Sequence, residues 1–176
     1  FCSRIELINQ GSGPFYHLSA WNFRLGFHAG IIFVCTPAFH NQGKIFRYDN
    51  SGKITWSYDA GVCYDMQLLE SGNILFTDGR KVKEINRNGE VLYSYDNGGE
   101  TYSCQRLPDG NTLVSDCSGS RLLVLNRSLK PEKIIELQVE NKGHHGIRWV
   151  RRGPEGPFFV AQEADHLVGE YGQEGR

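Results

Sequence analysis

The residues best suited to chemistry in this chain are two adjacent histidines followed closely by an arginine. His144 and His145 supply imidazoles, and Arg148 lies three residues beyond the second of them. An imidazole can act as a nucleophile or as a general acid and base near neutral pH, and a guanidinium can hold an anionic group. We therefore take these three residues as the candidate catalytic residues. The sequence has no G-x-S-x-G, P-loop or G-x-G-x-x-G motif, so serine-hydrolase and nucleotide-binding functions have no local support.

The pattern of histidines and cysteines predicts neither a metal site nor a cofactor. His28 and His166 are further imidazoles that could join His144 and His145, but the sequence contains no H-x-H or H-E-x-x-H spacing. No C-x-x-C pair occurs either, which disfavours a zinc ribbon and a dense disulfide framework. We expect the cysteines to be small buried hydrophobic residues; they are found at positions 2, 35, 63, 104 and 117.

Charge and hydropathy exclude two classes of partner. The formal net charge is −1, with 19 basic and 20 acidic residues, so no overall positive field would attract nucleic acid. No apolar run approaches the roughly 20 residues that a membrane-spanning helix needs. The expected partner is a small molecule, a glycan or a peptide, and the sequence does not indicate an oligomeric state.

A repeat of 37 or 38 residues organises the chain and must position any site. Residues 81–96 align with residues 44–59 without a gap at an offset of 37, and residues 64–78 align with residues 102–116 at an offset of 38. The two alignments cover different halves of one unit. Such a repeat indicates an architecture built from similar units that stack on each other.

Each unit reads as four short β-strands separated by turns. Turns are indicated where Gly follows Asn, Asp or Ser, as in residues 50–52, 70–73, 87–89 and 108–111, because these residues suit tight turns. Val91, Tyr93 and Tyr95 alternate with Leu92 and Ser94, and this period of two indicates a strand. Residues 74–76 are apolar on both faces, as in a covered strand. About four residues in ten are hydrophobic.

These features predict an all-β protein, a β-propeller of four-stranded antiparallel blades. The alternative is a β-sandwich with coincidental repetition. We expect a single domain in which residues 1–17 form an N-terminal segment and the blades comprise residues 18–59, 61–96, 99–139 and 143–176, the last of them incomplete. Either the chain is part of a six- to eight-bladed ring, or residues 4–8 supply the missing strand and close a four-bladed ring; we favour the larger ring.

The repeat identifies equivalent positions on the inner strand of each blade, which lines the channel of a propeller. An ungapped alignment of residues 144–150 with residues 101–107, at an offset of 43, extends these positions to blade four. A ring of such side chains suits a polyhydroxylated or anionic small ligand, although it could also simply solvate a wet channel. The predicted ligand-binding residues are Tyr64, Tyr102 and His145 at the mouth, and Gln67, Gln105 and Arg148 three residues deeper.

The repeated segments resemble those of a known family. Residues 66–78, residues 105–116 and the Gly-Lys-Ile-Thr-Trp-Ser-Tyr run at residues 52–58 resemble blades of quinoprotein-like and arylsulfotransferase-type propellers of bacteria. The resemblance implies the propeller fold and a location outside the cytoplasm, in the periplasm or at the cell surface. In the arylsulfotransferase branch, a His-Asp pair tends to precede the turn after the inner strand. Blades two and three instead have Tyr64-Asp65 and Tyr102-Ser103.

Two functions follow as expectations. The first is a non-catalytic binding or scaffold protein that recognises a small ligand, glycan or peptide on its channel face. The alternative is an aryl-sulfotransferase-like transferase or a polysaccharide lyase. That enzyme would use His144 or His145 at the channel mouth, with Arg148 as an anion clamp.

Overall fold

The chain folds into a series of antiparallel β-sheets, each formed by consecutive strands. The structure, a computed structural model, describes residues 32–36, 43–153 and 156–176, with the backbone alone for Ile32–Thr36. Blade one contains β1 (Ile32–Thr36), β2 (Gly43–Tyr48) and β3 (Ile54–Gly61). Blade two contains β4 (Met66–Leu68), β5 (Ile74–Asp78), β6 (Lys81–Ile85) and β7 (Val91–Asp96). Blade three contains β8 (Cys104–Arg106), β9 (Thr112–Asp116), β10 (Arg121–Leu125) and β11 (Pro131–Glu136). Blade four contains β12 (Ile147–Arg152), β13 (Phe158–Gln162) and β14 (Leu167–Tyr171).

The hydrophobic core lies between blades rather than within any one of them. Ile45 of blade one packs in a cluster with Phe76 of blade two, and Leu75 of blade two shares a cluster with Val114 of blade three. A third cluster joins blades three and four. A sheet with two apolar faces must be covered on both sides, and stacked neighbours provide that cover. The predicted β-propeller of four-stranded antiparallel blades is confirmed, and the β-sandwich alternative is wrong.

The hydrogen bonds of blades two and three repeat at the predicted offset of 38. The hydroxyl of Thr77 accepts from the backbone amides of Tyr64 and Asp65, at 3.0 and 3.1 Å. Thirty-eight residues later, the hydroxyl of Ser115 accepts from the amides of Tyr102 and Ser103, at 3.2 and 2.9 Å. In each blade a side chain of the second strand therefore fixes the two residues that precede the inner strand.

The turns between the third and fourth strands confirm the offset of 37. Asp49 accepts through Oδ1 from the amides two and four residues later, and Asn86 does the same in blade two. The turns then require positive φ, which is 80° at Gly52 and 85° at Gly89. Blade three has Leu129 at this position, with a φ of 65°.

The alignment of blade four at an offset of 43 is wrong, and the correct offset along its inner strand is 46. Cys104 pairs with Val114 in blade three, and Val150 pairs with Val160 in the same way in blade four. The difference between Cys104 and Val150 is 46 residues. A register shift between Ile147 and Trp149 absorbs an extra residue at the start of β12. The equivalent of Gln105 is consequently Arg151 rather than Arg148.

Several expectations fall on residues that are not described. The strand at residues 4–8 that would close a four-bladed ring, Cys2 and His28 lie outside the described residues, and of Cys35 only the backbone, in β1, is described. The division of the chain at residues 17, 59, 96 and 139 stays a prediction. Cys63, Cys104 and Cys117 are buried, and burial raises the pKa of the Cys117 thiol to about 11.

Candidate ligand-binding site

An open groove with a volume of about 770 Å³ lies where the loops of blades two, three and four meet. Tyr64, Tyr102, His144 and Arg148 line it together with Glu163. The two tyrosines immediately precede the inner-strand regions of their blades. His144 comes from the segment entering blade four, Arg148 from β12, and Glu163 from the loop between the second and third strands of that blade. Residues far apart in sequence thus meet because the blades present equivalent loops at one end of the channel.

The two tyrosines form an aromatic stack at the channel mouth. Their ring centroids are 4.4 Å apart with a tilt of 35°. The guanidinium carbon of Arg148 lies 4.0 Å from the centroid of the Tyr102 ring, within the range of a cation–π contact. Burial raises the pKa of Tyr102 to about 12, although Arg148 opposes that rise, so its hydroxyl stays protonated at neutral pH. Tyr102 is only 7% exposed, so the partly buried Tyr64 ring provides most of the apolar surface, and the guanidinium lies over the face of the Tyr102 ring.

His144 is held in place by an acidic residue of blade three. Its Nδ1 lies 2.5 Å from a carboxylate oxygen of Glu100 and 3.3 Å from the hydroxyl of Tyr102. The carboxylate favours the tautomer with the proton on Nδ1. No hydrogen-bond partner contacts Nε2 among the described residues, and in that tautomer Nε2 carries the lone pair and is available to a ligand.

Arg148, His145 and Glu163 form a second ionic group beside the first. Arg148 donates through Nε to Glu163, whose carboxylate also lies 3.2 Å from Nδ1 of His145. Burial raises the pKa of Glu163, but hydrogen bonds from Arg148 and His145 outweigh it and leave that pKa below its usual value. The His145 side chain is 62% exposed and is not part of the groove lining. His145 thus stands at the rim, where it supports Glu163.

Gln67 and Gln105, predicted as ligand-binding residues, do not line the groove and instead join neighbouring blades. Oε1 of Gln67 accepts from the backbone amide of Arg106 at 2.7 Å. Gln105 accepts from the amide of Arg152 at 2.8 Å and donates to its carbonyl oxygen at 3.0 Å. Both glutamines use their amide groups on the inner strand of the following blade.

Of the predicted site residues, the groove brings together Tyr64, Tyr102, His144 and Arg148. At the offset of 46, Arg148 is equivalent to Tyr102 at the channel mouth and not to Gln105, which lies deeper along the inner strand. Sequence reasoning missed Glu100 and Glu163. A signal existed for both, since Glu100 precedes the inner strand of blade three and Glu163 follows the second strand of blade four, which are the loops that carry propeller sites.

Nothing in the described residues forms a metal centre. Those residues contain no group of three or more His, Cys, Asp or Glu side chains that could hold an ion. They also contain no helix long and apolar enough to cross a membrane.

Comparison with known proteins identifies the family. The sequence model of the Arylsulfotransferase (ASST) family matches residues 23–149, which is more than half of the chain. This chain belongs to the arylsulfotransferase family. A search of curated proteins found no match.

Solved structures show the same fold at low sequence identity. A protein of unknown function from Bacteroides caccae is 24% identical with a TM-score of 0.71, and the match covers 84% of this chain and 56% of that one. A streptogramin B lyase is 20% identical with a TM-score of 0.61, covering 84% and 52%. An inactive virginiamycin B lyase from Staphylococcus aureus, solved with quinupristin, is 18% identical with a TM-score of 0.56, covering 84% and 54%. The chain spans about half the length of these structures, and the likeness shows the fold alone.

Proposed function

We propose that this arylsulfotransferase-family chain binds an aryl sulfate in the groove and transfers its sulfo group through His144. The observation that carries the proposal is the position of His144. Glu100 holds its Nδ1, and its ring lies edge-on to Tyr102, with ring centroids 5.9 Å apart. Arg148 lies on the same tyrosine ring. A nucleophile, an anion-binding group and an aromatic surface therefore meet in one groove.

The proposed reaction has two steps. In the first, Nε2 of His144 attacks sulfur, an N–S bond forms, and the S–O bond to the aryl group breaks, so that a phenolate leaves with the electron pair. In the second, the acceptor phenol gives its proton to water, its oxygen attacks sulfur, and the N–S bond breaks with its electron pair returning to Nε2 to restore the imidazole. Glu100 keeps the proton on Nδ1 and stabilises the positive charge that develops on the ring.

The neighbours of His144 have roles that follow from their charge and shape. Arg148 balances negative charge on the sulfo oxygens, which in a partly water-excluded groove is worth more than in bulk water. Tyr64 extends the aromatic surface on which the aryl ring stacks. Glu163 holds Arg148 by its Nε, so that the guanidinium is oriented before a ligand arrives.

Transfer from 4-methylumbelliferyl sulfate to phenol, followed by the fluorescence of the released methylumbelliferone, tests the proposal. We expect His144→Ala to lower the rate about a hundredfold or more and Glu100→Gln to lower it about tenfold. His145→Ala is the matched control, since it removes the adjacent exposed imidazole, and the rate should stay within about threefold. Background rates in the unmodified chain, or equal losses in the two histidine variants, would contradict His144 as the nucleophile.

Non-catalytic binding is the second candidate, and the pairing of the charges favours it. Glu163 already neutralises Arg148, and His145 and His144 contact Glu163 and Glu100, without any ligand. In this case calorimetry would detect aryl sulfate or glycan binding without turnover, and Tyr102→Ala would abolish it. Cleavage of uronate oligomers would instead support the lyase alternative. Location outside the cytoplasm stays a prediction.

A further inference from the structure

A row of apolar side chains crosses blade four beside the ionic groups of the groove. Trp149 on β12 pairs with Ala161 on β13, and Ala161 pairs with Val168 on β14. Directly opposed residues of antiparallel strands place their side chains on the same face of the sheet. All three residues line the groove. We call Trp149, Ala161 and Val168 the apolar row.

The outer end of the apolar row is open to solvent. Val168 is 69% exposed, and its neighbour Leu167, which also lines the groove, is 48% exposed. Contiguous exposed apolar surface beside a polar cluster is typical of a binding surface. The same groove contains His144 and Arg148, so it combines an anion-binding part with an apolar part.

Blade three shows that this row is not simply a repeated structural feature. Its residues equivalent to Trp149 and Ala161, at the offset of 46, are Ser103 and Ser115, and both are buried. The Ser103 hydroxyl accepts from the amide of Val150 at 2.9 Å and so joins blade three to blade four. Neither Trp149 nor Ala161 has a side-chain acceptor for such a bond. Blade four therefore replaces two hydroxyls that hold backbone amides with apolar surface that faces the groove.

We infer that the preferred ligands are aryl sulfates with an apolar substituent opposite the sulfate. The sulfate lies at His144 and Arg148, the ring lies on the tyrosine stack, and the substituent lies along the apolar row. This inference rests on the proposed binding of aryl sulfates, and it adds the substrate class. Each methylene fully removed from water gains about fourfold in affinity. Because the row is only partly enclosed, we expect about twofold for each methylene.

Dissociation constants measured by calorimetry for phenyl sulfate and 4-butylphenyl sulfate, below the micelle concentration, test the inference on the full chain. The butyl compound should bind about tenfold more tightly to the unmodified chain. Val168→Ser should reduce that preference to about threefold while leaving the affinity for phenyl sulfate unchanged. Val91→Ser is the matched control, since Val91 is 51% exposed on β7 of blade two, away from the groove lining. It should leave the tenfold preference intact.

The outcomes separate this inference from the proposed function. If phenyl sulfate binds but the butyl group gives no gain, or if Val168→Ser leaves the gain intact, the apolar row is not a subsite and aryl sulfate binding stands. If neither compound binds, both proposals fall. If sedimentation shows that the chain self-associates and that Val168→Ser abolishes the association, a second copy covers the row and the subsite inference is overturned.

Discussion

Blades two and three are joined to their following blades through equivalent positions that carry different chemistry. At the 2–3 interface, Oδ2 of Asp65 accepts from the amide of Cys104 at 3.0 Å. At the 3–4 interface, the hydroxyl of Ser103 accepts from the amide of Val150 at 2.9 Å. Both side chains are almost completely buried. A neutral hydroxyl is therefore sufficient to join two blades at this position.

The carboxylate of Asp65 does something that the hydroxyl does not. Its Oδ1 accepts from Arg151 of blade four at 2.7 Å, so this side chain of blade two contacts both blade three and blade four. Arg151 also lies 5.2 Å from the ring of Trp149 in the groove lining. Asp65 therefore adds an ionic link from blade two to blade four, which the hydroxyl of Ser103 at the equivalent position cannot form.

The largest expected effect is the loss of this link. Asp65→Ala leaves Arg151 and a buried amide without their acceptor, and we expect the free energy of unfolding to fall by about 3–5 kcal/mol at pH 7. Ser103→Ala at the equivalent position removes one neutral acceptor and should cost about 1–2 kcal/mol. Urea denaturation of the two variants measures the difference. Equal losses would mean that Arg151 contributes nothing to the interface.

The titration of Asp65 should make the stability of the chain depend on pH. Burial raises the pKa of Asp65 to about 6, although Arg151 and the Cys104 amide oppose the rise. Because this value exceeds the ordinary 3.8, the folded state binds the proton more tightly, and the free energy of unfolding falls as pH rises from about 4 to about 6. We expect a fall on the order of 3 kcal/mol relative to Asp65→Asn, whose side chain does not titrate.

Urea denaturation at pH 4, 5, 6 and 7 measures this slope, and Ser103→Ala serves as the control that should retain it. If the unmodified chain instead gains stability relative to Asp65→Asn as the pH rises, Arg151 outweighs burial and the pKa of Asp65 is lowered.

The smallest expected effect separates the two glutamines. Gln105 makes two hydrogen bonds to Arg152, and Gln67 makes one to Arg106. Alanine at position 105 should therefore cost about 2 kcal/mol and alanine at position 67 about 1 kcal/mol. Hydrogen exchange should show faster exchange of the Arg152 amide in the first variant and of the Arg106 amide in the second. Unchanged exchange in both would mean that these amides are protected by other contacts.

The repeat made much of the fold predictable because its turn chemistry is local. The side chains of Asp49 and Asn86 accept hydrogen bonds from backbone amides within their own turns. The offset of 37 could therefore be recognised without knowing how the neighbouring blades pack. The offset of 43 for blade four failed because the register of β12 depends on its pairing with β13 and on an extra residue near Trp149. The residue types at positions 144–150 do not indicate that pairing.

The site was only partly predictable for a related reason. Tyr64 and Tyr102 were found because they hold the same place in each repeat. Gln67 and Gln105 hold equivalent places as well, but their amides bind the next blade instead of lining the groove. Position along a strand shows which side chains are equivalent, whereas the packing of the neighbouring strand decides whether they meet a ligand or a backbone amide.

The sequence by itself determined that this protein is built from repeated four-stranded sheets, because strand alternation and turn residues act over a few positions. It also determined that the imidazoles and Arg148 enter blade four together. Only the tertiary structure decided that His144 meets Glu100, that Arg148 meets Tyr102 and that Asp65 reaches Arg151. These contacts join residues 44, 46 and 86 positions apart, and their distances depend on the angle and spacing at which successive blades pack.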